Sequence, residues 1–236
     1  MQSPPEFSGK PYRYAVKKIL ADIRPSLVLD VAAGEGWLAR HLPSDAALDG
    51  LDFFQLKKPD GYRKFGQADL NRGIPAADEK YDAVVCCEAV AYLLNPGLFL
   101  ESARACLNPQ GYLVLTTPNP AYLGARISQL IKGFSPSFPV PGQNQKIEAH
   151  MPWHPLTWQQ LWLLLGLTGF TDISVHEVPE PKPKHYWERL FAPAARLYAK
   201  HRANRAPTPE AAAMWRSAGG DQVLFGRRLV VSAKAR

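Results

Sequence analysis

The feature that most constrains the fold is a buried strand that runs straight into a glycine turn. Ser26-Leu-Val-Leu-Asp-Val31 is a short continuous apolar run, as a strand covered on both faces reads. Ala32-Ala-Gly-Glu-Gly36 follows, and residues 37–42 read as a helix start. Before the strand, Val16, Ile19, Leu20 and Ile23 recur at helical spacing over 11–23, and Pro25 closes that helix. Further strand candidates are 47–52, a weak 62–67, 81–86 and 112–116, with a helix over 98–107 and a turn at Asn108-Pro-Gln-Gly111. Strands alternating with helices predict a parallel sheet covered on both faces.

Beyond Thr117 the rhythm changes. Residues 121–131 can be a helix, whereas 132–155 carry five prolines, too many for a regular element. Residues 157–167 read as a helix N-capped by Thr157, 172–178 as a strand, 179–220 as irregular and basic, and 223–233 as the last strand with a bulge or turn at Gly226. The length of 236 residues fits one large domain over 1–236, in which about 121–165 and 179–220 are substrate-side or lid insertions.

Composition narrows the class. The chain is 46% hydrophobic, which excludes wholesale disorder, and it has no uncharged apolar run of membrane-spanning length. Met1 to Lys10 has no apolar segment of the secretory type. Cys86, Cys87 and Cys106 make neither a disulfide framework nor a CxxC pair, so a cytoplasmic location is expected. Residues 1–179 hold 16 Lys+Arg against 17 Asp+Glu, and residues 180–236 hold 12 against 4. The basic excess therefore sits at the C-terminal end, where nucleic acid, anionic lipid or an acidic substrate could meet it.

Glycines at a strand-to-helix turn let a ligand approach the backbone, and in open α/β sheets the ligand crevice lies at the carboxyl ends of the strands. Gly34 and Gly36 stand at such a turn. Asp52 ends the second strand, where a carboxylate can bond both hydroxyls of an adenosyl ribose, and Asp69 after the third can reach the adenine amino group. A dinucleotide reading of Gly34-x-Gly36-x-x-Ala39 finds no other support in the chain.

These residues, with Lys80-Tyr-Asp-Ala-Val-Val-Cys-Cys-Glu-Ala-Val-Ala-Tyr-Leu93 and Leu107-Asn-Pro-Gln-Gly-Tyr-Leu-Val-Leu-Thr-Thr-Pro-Asn119, carry a family resemblance. Over about residues 26–119 the chain resembles the class I S-adenosylmethionine-dependent methyltransferases, in the small-molecule branch around the ubiquinone-type enzymes. The resemblance implies a Rossmann-like α/β fold with a seven-stranded, mostly parallel sheet, its last strand antiparallel. It also implies S-adenosylmethionine as cofactor, in a pocket at the ends of strands one to four. The implied cofactor-binding set is Asp30, Ala32, Gly34, Gly36, Asp52, Asp69, Leu70 and Cys86. Two positions depart from the family: Ala32 stands where it usually has glycine, and Tyr92 where it often has histidine. A positive φ at Ala32 would cost ~1 kcal/mol.

A hydroxyl acceptor can call for a general base, most often His or a carboxylate, and the sequence leaves open whether one is used. His150, in Glu148-Ala-His-Met-Pro-Trp-His-Pro155, matches a position that is often His in the branch and is the first catalytic candidate, with Tyr92 the second. Prolines between His150 and His154 forbid a helical zinc pair. Trp153 is a wall or a core residue; Glu88 is a pocket wall or a solvated helix-start acid. No Asp/Asn-Pro-Pro-aromatic motif follows strand four, and no cysteine follows a proline, which argues against the usual nucleobase amine and cytosine C5 acceptors. The expectation is O-methylation of a small, glycan-linked or lipid-like acceptor. The alternatives are an RNA methyltransferase, or a catalytically degenerate cofactor-binding partner protein. Residues 185–202 are expected to form a helix kinked at Pro193, burying Trp187, Leu190, Phe191 and Tyr198 over the substrate entrance, with at most weak, reversible membrane contact. The sequence leaves the oligomeric state open.

Overall fold

The computed structural model describes residues 10–43, 45–54, 57–76, 79–136, 138, 154–180 and 182–236. In chain order the regular elements are α1 (Tyr12–Ile23), β1 (Leu27–Val31), β2 (Ala47–Asp52), β3 (Lys64–Gln67), β4 (Tyr81–Cys87), α2 (Pro96–Cys106) and β5 (Leu107–Pro118). Then come α3 (Leu123–Lys132), α4 (Trp158–Leu167), β6 (Phe170–His176), α5 (Glu188–Asn204), α6 (Pro209–Ala218), α7 (Asp221–Phe225) and β7 (Arg228–Ala235).

The strands form one seven-stranded sheet in the order β3-β2-β1-β4-β5-β7-β6, with β7 antiparallel to both of its neighbours. Side chains on a strand alternate between faces, so each central strand feeds two cores. Val28, Ala83, Val85, Val114 and Val230 pack with Val16, Ile19 and Leu20 of α1 on one face. Leu29, Val31, Val84, Leu113, Leu115 and Leu229 pack with Phe99 of α2 and Trp158, Leu161 and Leu165 of α4 on the other. This double burial is why the central strands read as largely apolar runs. Strand order reverses between β1 and β4, which opens a crevice at their carboxyl ends.

The expected helix after the glycine turn is only a 3-10 turn, Trp37–Arg40. Thr157 does cap α4, in a capping box with Gln160. The last strand begins at Arg228, because 221–225 are the short helix α7. The region 179–220, read as irregular apart from the helix expected over 185–202, holds α5 and α6. Thr208 accepts from Ala211 N at 3.2 Å and Pro209 follows at the first helical position, so the start of α6 was signalled in the sequence.

The orientation expected for α5 is overturned. It docks on its neighbours through Ala192, Ala199 and Ala203, which are buried. Leu190, Phe191 and Tyr198, expected to be covered, are exposed, and none of them lines the crevice. Small residues decide the matter: a Cβ on Gly219 would stand 3.2 Å from that of Ala199, an approach that a large side chain at the seam would prevent.

Candidate functional site

The glycine turn is bent by three left-handed residues, Ala32 (φ 57°), Gly34 (φ 54°) and Gly36 (φ 76°). Ala32 thus has the positive φ that its family usually assigns to glycine. The turn is tied to β2 at two points. Ala33 N donates to Leu51 O at 3.1 Å, and Gly34 N donates to Asp52 Oδ2 at 2.8 Å. Asp52 Oδ1 accepts from Phe54 N at 3.0 Å, so this carboxylate fixes the loops after β1 and β2 together. A Cβ on Gly34 would meet nothing within 4 Å, because it would project into open space.

The third and fourth strands complete the wall. Asp69 caps the turn Leu70–Arg72 by accepting from Asn71 N at 3.0 Å. Asn71 Oδ1 in turn accepts from Leu94 N at 2.6 Å, joining the loops after β3 and β4. Glu88, the residue after β4, is itself left-handed at φ 62°. Its N donates to Thr116, its Oε1 accepts from Thr116 Oγ1 at 2.9 Å, and its Oε2 accepts from Arg228 Nε at 2.7 Å. The Arg228 guanidinium also lies over the Tyr12 ring at 5.6 Å. Glu88 is therefore a paired wall residue rather than a solvated acid.

Together these loops enclose a cavity of about 330 Å³. Ala32 and Gly34 come from the first strand end, Asp52, Phe53 and Phe54 from the second, Asp69, Leu70 and Asn71 from the third, and Cys87, Glu88, Ala89, Tyr92 and Leu93 from the fourth. Burial, and next the negative charge of Glu88, push the Tyr92 phenol above its ordinary pKa. Phe53 and Phe54, packed edge to face at 5.3 Å and both partly open, went unnoticed in the sequence. Two aromatics directly after Asp52 were the available signal.

Three residues of the expected cofactor set lie behind this wall. Cys86 is fully buried in the core and its neighbour Cys87 faces the cavity instead. Burial pushes the Cys86 thiol to about 12 and also raises Cys87, so neither is a thiolate nucleophile at neutral pH. Gly36 is glycine for a packing reason: a Cβ there would lie 2.5 Å from Pro59 Cβ. Gly36→Ala should lower stability by ~1–3 kcal/mol, from strain at positive φ plus overpacking, and thermal unfolding checks it. An unchanged melting temperature would contradict that contact.

Asp30 is the third. It is fully buried and accepts from Tyr62 Oη at 2.6 Å, while its Oδ1 has no hydrogen-bond partner among the described residues. Burial raises its carboxyl from 3.8 to about 7; the Tyr62 bond opposes the rise, and the Asp52 charge adds to it. Between those values the folded protein binds more protons than the unfolded chain. The stability it contributes is fully present below about pH 4 and is lost as pH rises through about 7. Asp30→Asn should flatten that part of the stability profile, as denaturant titrations between pH 5 and 8 would show.

His150 lies outside the described residues, and so does Trp153. His154 is placed: its N donates to Ala91 O at 3.1 Å, which sets the returning chain beside the loop that carries Tyr92.

A family model described as a methyltransferase domain matches residues 8–175. The chain belongs to this methyltransferase family. A search of curated protein sequences finds no match. Solved structures share the fold. One is an S-adenosylmethionine-dependent methyltransferase from Mesorhizobium loti, 17% identical with a TM-score of 0.56, covering 96% of this chain and 98% of that one. Another is a SAM-dependent methyltransferase from Archaeoglobus fulgidus, 17% identical with a TM-score of 0.52, covering 97% and 96%. A third is the plantazolicin methyltransferase BamL, in complex with a triazolic desmethylPZN analogue and SAH, 14% identical with a TM-score of 0.57, covering 98% and 87%.

The methyl donor of this methyltransferase is S-adenosylmethionine. The cavity suits it: carboxylates from two strand ends, an open approach at Gly34 and an aromatic pair together match a nucleoside with a flexible charged tail.

Proposed function

We propose that this methyltransferase transfers a methyl group to a hydroxyl of a small, glycan-linked or lipid-like acceptor. The observation that carries the cofactor half is Asp52, held by two backbone N–H groups at the mouth of the glycine turn. In this reading Asp52 receives the ribose hydroxyls, Asp69 the adenine amino group, and Phe53, Phe54 and Leu70 the adenine faces. Ala32 and Gly34 let the amino-acid tail lie against the backbone. When bound, the cofactor supplies an activated methyl on a sulfonium, open to in-line displacement. The protein then orients the acceptor oxygen and excludes water. A base of the chain would take the hydroxyl proton as the acceptor oxygen receives the methyl group that the cofactor would supply.

On the acceptor side, Tyr92 lines the cavity as a phenol whose proton is held more tightly than usual. It suits donating a hydrogen bond to the acceptor oxygen better than removing a proton. The base is assigned to His150. Three free cysteines, two of them buried, suit a reducing cytoplasm.

The reading is tested by incubating the protein with methyl-labelled cofactor and hydroxyl-bearing acceptors, alongside total RNA. Label in the small acceptor is expected. Label confined to RNA, or no turnover by a protein that binds S-adenosylhomocysteine, would contradict it.

A further inference from the structure

We infer that α5 docks this protein on an anionic lipid surface. Its outward face carries large apolar side chains that stay largely exposed; of these, Tyr198 meets the Trp215 ring edge to face at 5.8 Å. Leu190 is 77% exposed, Leu197 69%, Tyr198 58% and Phe191 50%. At helical spacing, Leu190, Ala194 and Leu197 lie opposite the alanines that bury the helix, with Phe191 and Tyr198 along one flank. Arg189 and Lys200 lie along the other. No acid offsets them on the helix surface: Glu188, the one acidic residue between 182 and 205, is fully buried and bonded to Arg227 at 3.0 Å. Arg189, Lys200, Arg202 and Arg205 make no ion pair among the described residues.

An apolar face with basic flanks is the pattern of a helix lying in the plane of a bilayer interface. The basic groups meet the headgroups while the leucines and aromatics enter the acyl boundary. Phosphates of a nucleic acid would satisfy the arginines but leave Leu190 and Leu197 in water, so lipid is the better match. No helix of the described residues is long and apolar enough to cross a membrane, so this contact lies on the surface.

The start of α5 is linked to the cavity wall. Glu188, its first residue, holds Arg227; the next residue, Arg228, holds Glu88 in the cavity wall. The docked helix therefore begins two ion pairs from the methyl-transfer cavity. The docking itself does not depend on the identity of the methyl acceptor.

The protein is sedimented with vesicles of phosphatidylcholine alone and of phosphatidylcholine with about 30% phosphatidylglycerol, whose negative surface potential attracts basic segments. Retention on the anionic vesicles only, falling as salt is raised, is expected. Leu190→Asp with Leu197→Asp should lower retention at least about tenfold, because apolar insertion is lost. Arg189→Gln with Lys200→Gln should lower it by about fivefold per residue. All four positions are exposed, so each variant should keep its melting temperature and its S-adenosylhomocysteine affinity; calorimetry on the same samples separates this claim from the methyl-transfer reading. Equal retention on neutral vesicles, undiminished retention of the leucine variant, or retention on polyuridylate without retention on vesicles would overturn it. So would a dimer that the leucine variant splits, with no vesicle binding.

Discussion

Replacing Asp52 with alanine lowers the affinity for S-adenosylhomocysteine by roughly 10²–10³-fold. Two losses combine. The ribose hydroxyls lose a charged acceptor, and such bonds contribute about 1.5–3 kcal/mol each. The Gly34 and Phe54 N–H groups lose their anchor, so the turn and the aromatic pair no longer hold one geometry before the ligand arrives. Asp52→Asn separates the two effects, since its amide oxygen keeps an acceptor at one site without the charge. It should lie between wild type and Asp52→Ala in titration calorimetry. An unaffected Asp52→Ala would mean that the cofactor sits elsewhere.

Replacing His150 with alanine lowers turnover by ~10²–10⁴-fold and leaves cofactor affinity nearly intact, the range for losing a general base. The comparison that gives this meaning is Tyr92→Phe. That change removes one hydrogen bond from the cavity wall and keeps the ring, so turnover should fall by only about tenfold. A flattened acidic limb in the pH–rate profile of His150→Ala, with that limb kept in Tyr92→Phe, identifies the histidine as the titrating base. If calorimetry shows cofactor affinity falling as far as turnover in His150→Ala, the residue is structural or cofactor-side and the assignment fails.

What the sequence made legible follows from locality. β1 and β4 announced themselves because each is buried on both faces, which leaves a largely apolar run. Ala32, Gly34, Asp52 and Asp69 could be placed on the cavity because each stands at a strand end, and topology alone brings those ends together. Asp30 and Gly36 could not be placed, because what claims them is Tyr62, some thirty residues on, with Pro59 beside it. Cys86 and Cys87 differ only in which face a strand residue takes, a choice settled by register with β5. The α5 helix was legible as a helix and misread in orientation. Hydropathy ranks leucine and phenylalanine above alanine, yet the buried seam is the alanine stripe, since only small residues fit against Gly219.

The central claim is that a methyltransferase cofactor occupies the cavity at the ends of β1 to β4. Titration calorimetry of the wild-type protein with S-adenosylhomocysteine, repeated on Asp52→Ala, tests it most directly. One site per chain is expected, with binding weakened by two orders of magnitude or more in the variant, which is about 3 kcal/mol. No binding to wild type, or equal binding to both, would contradict it.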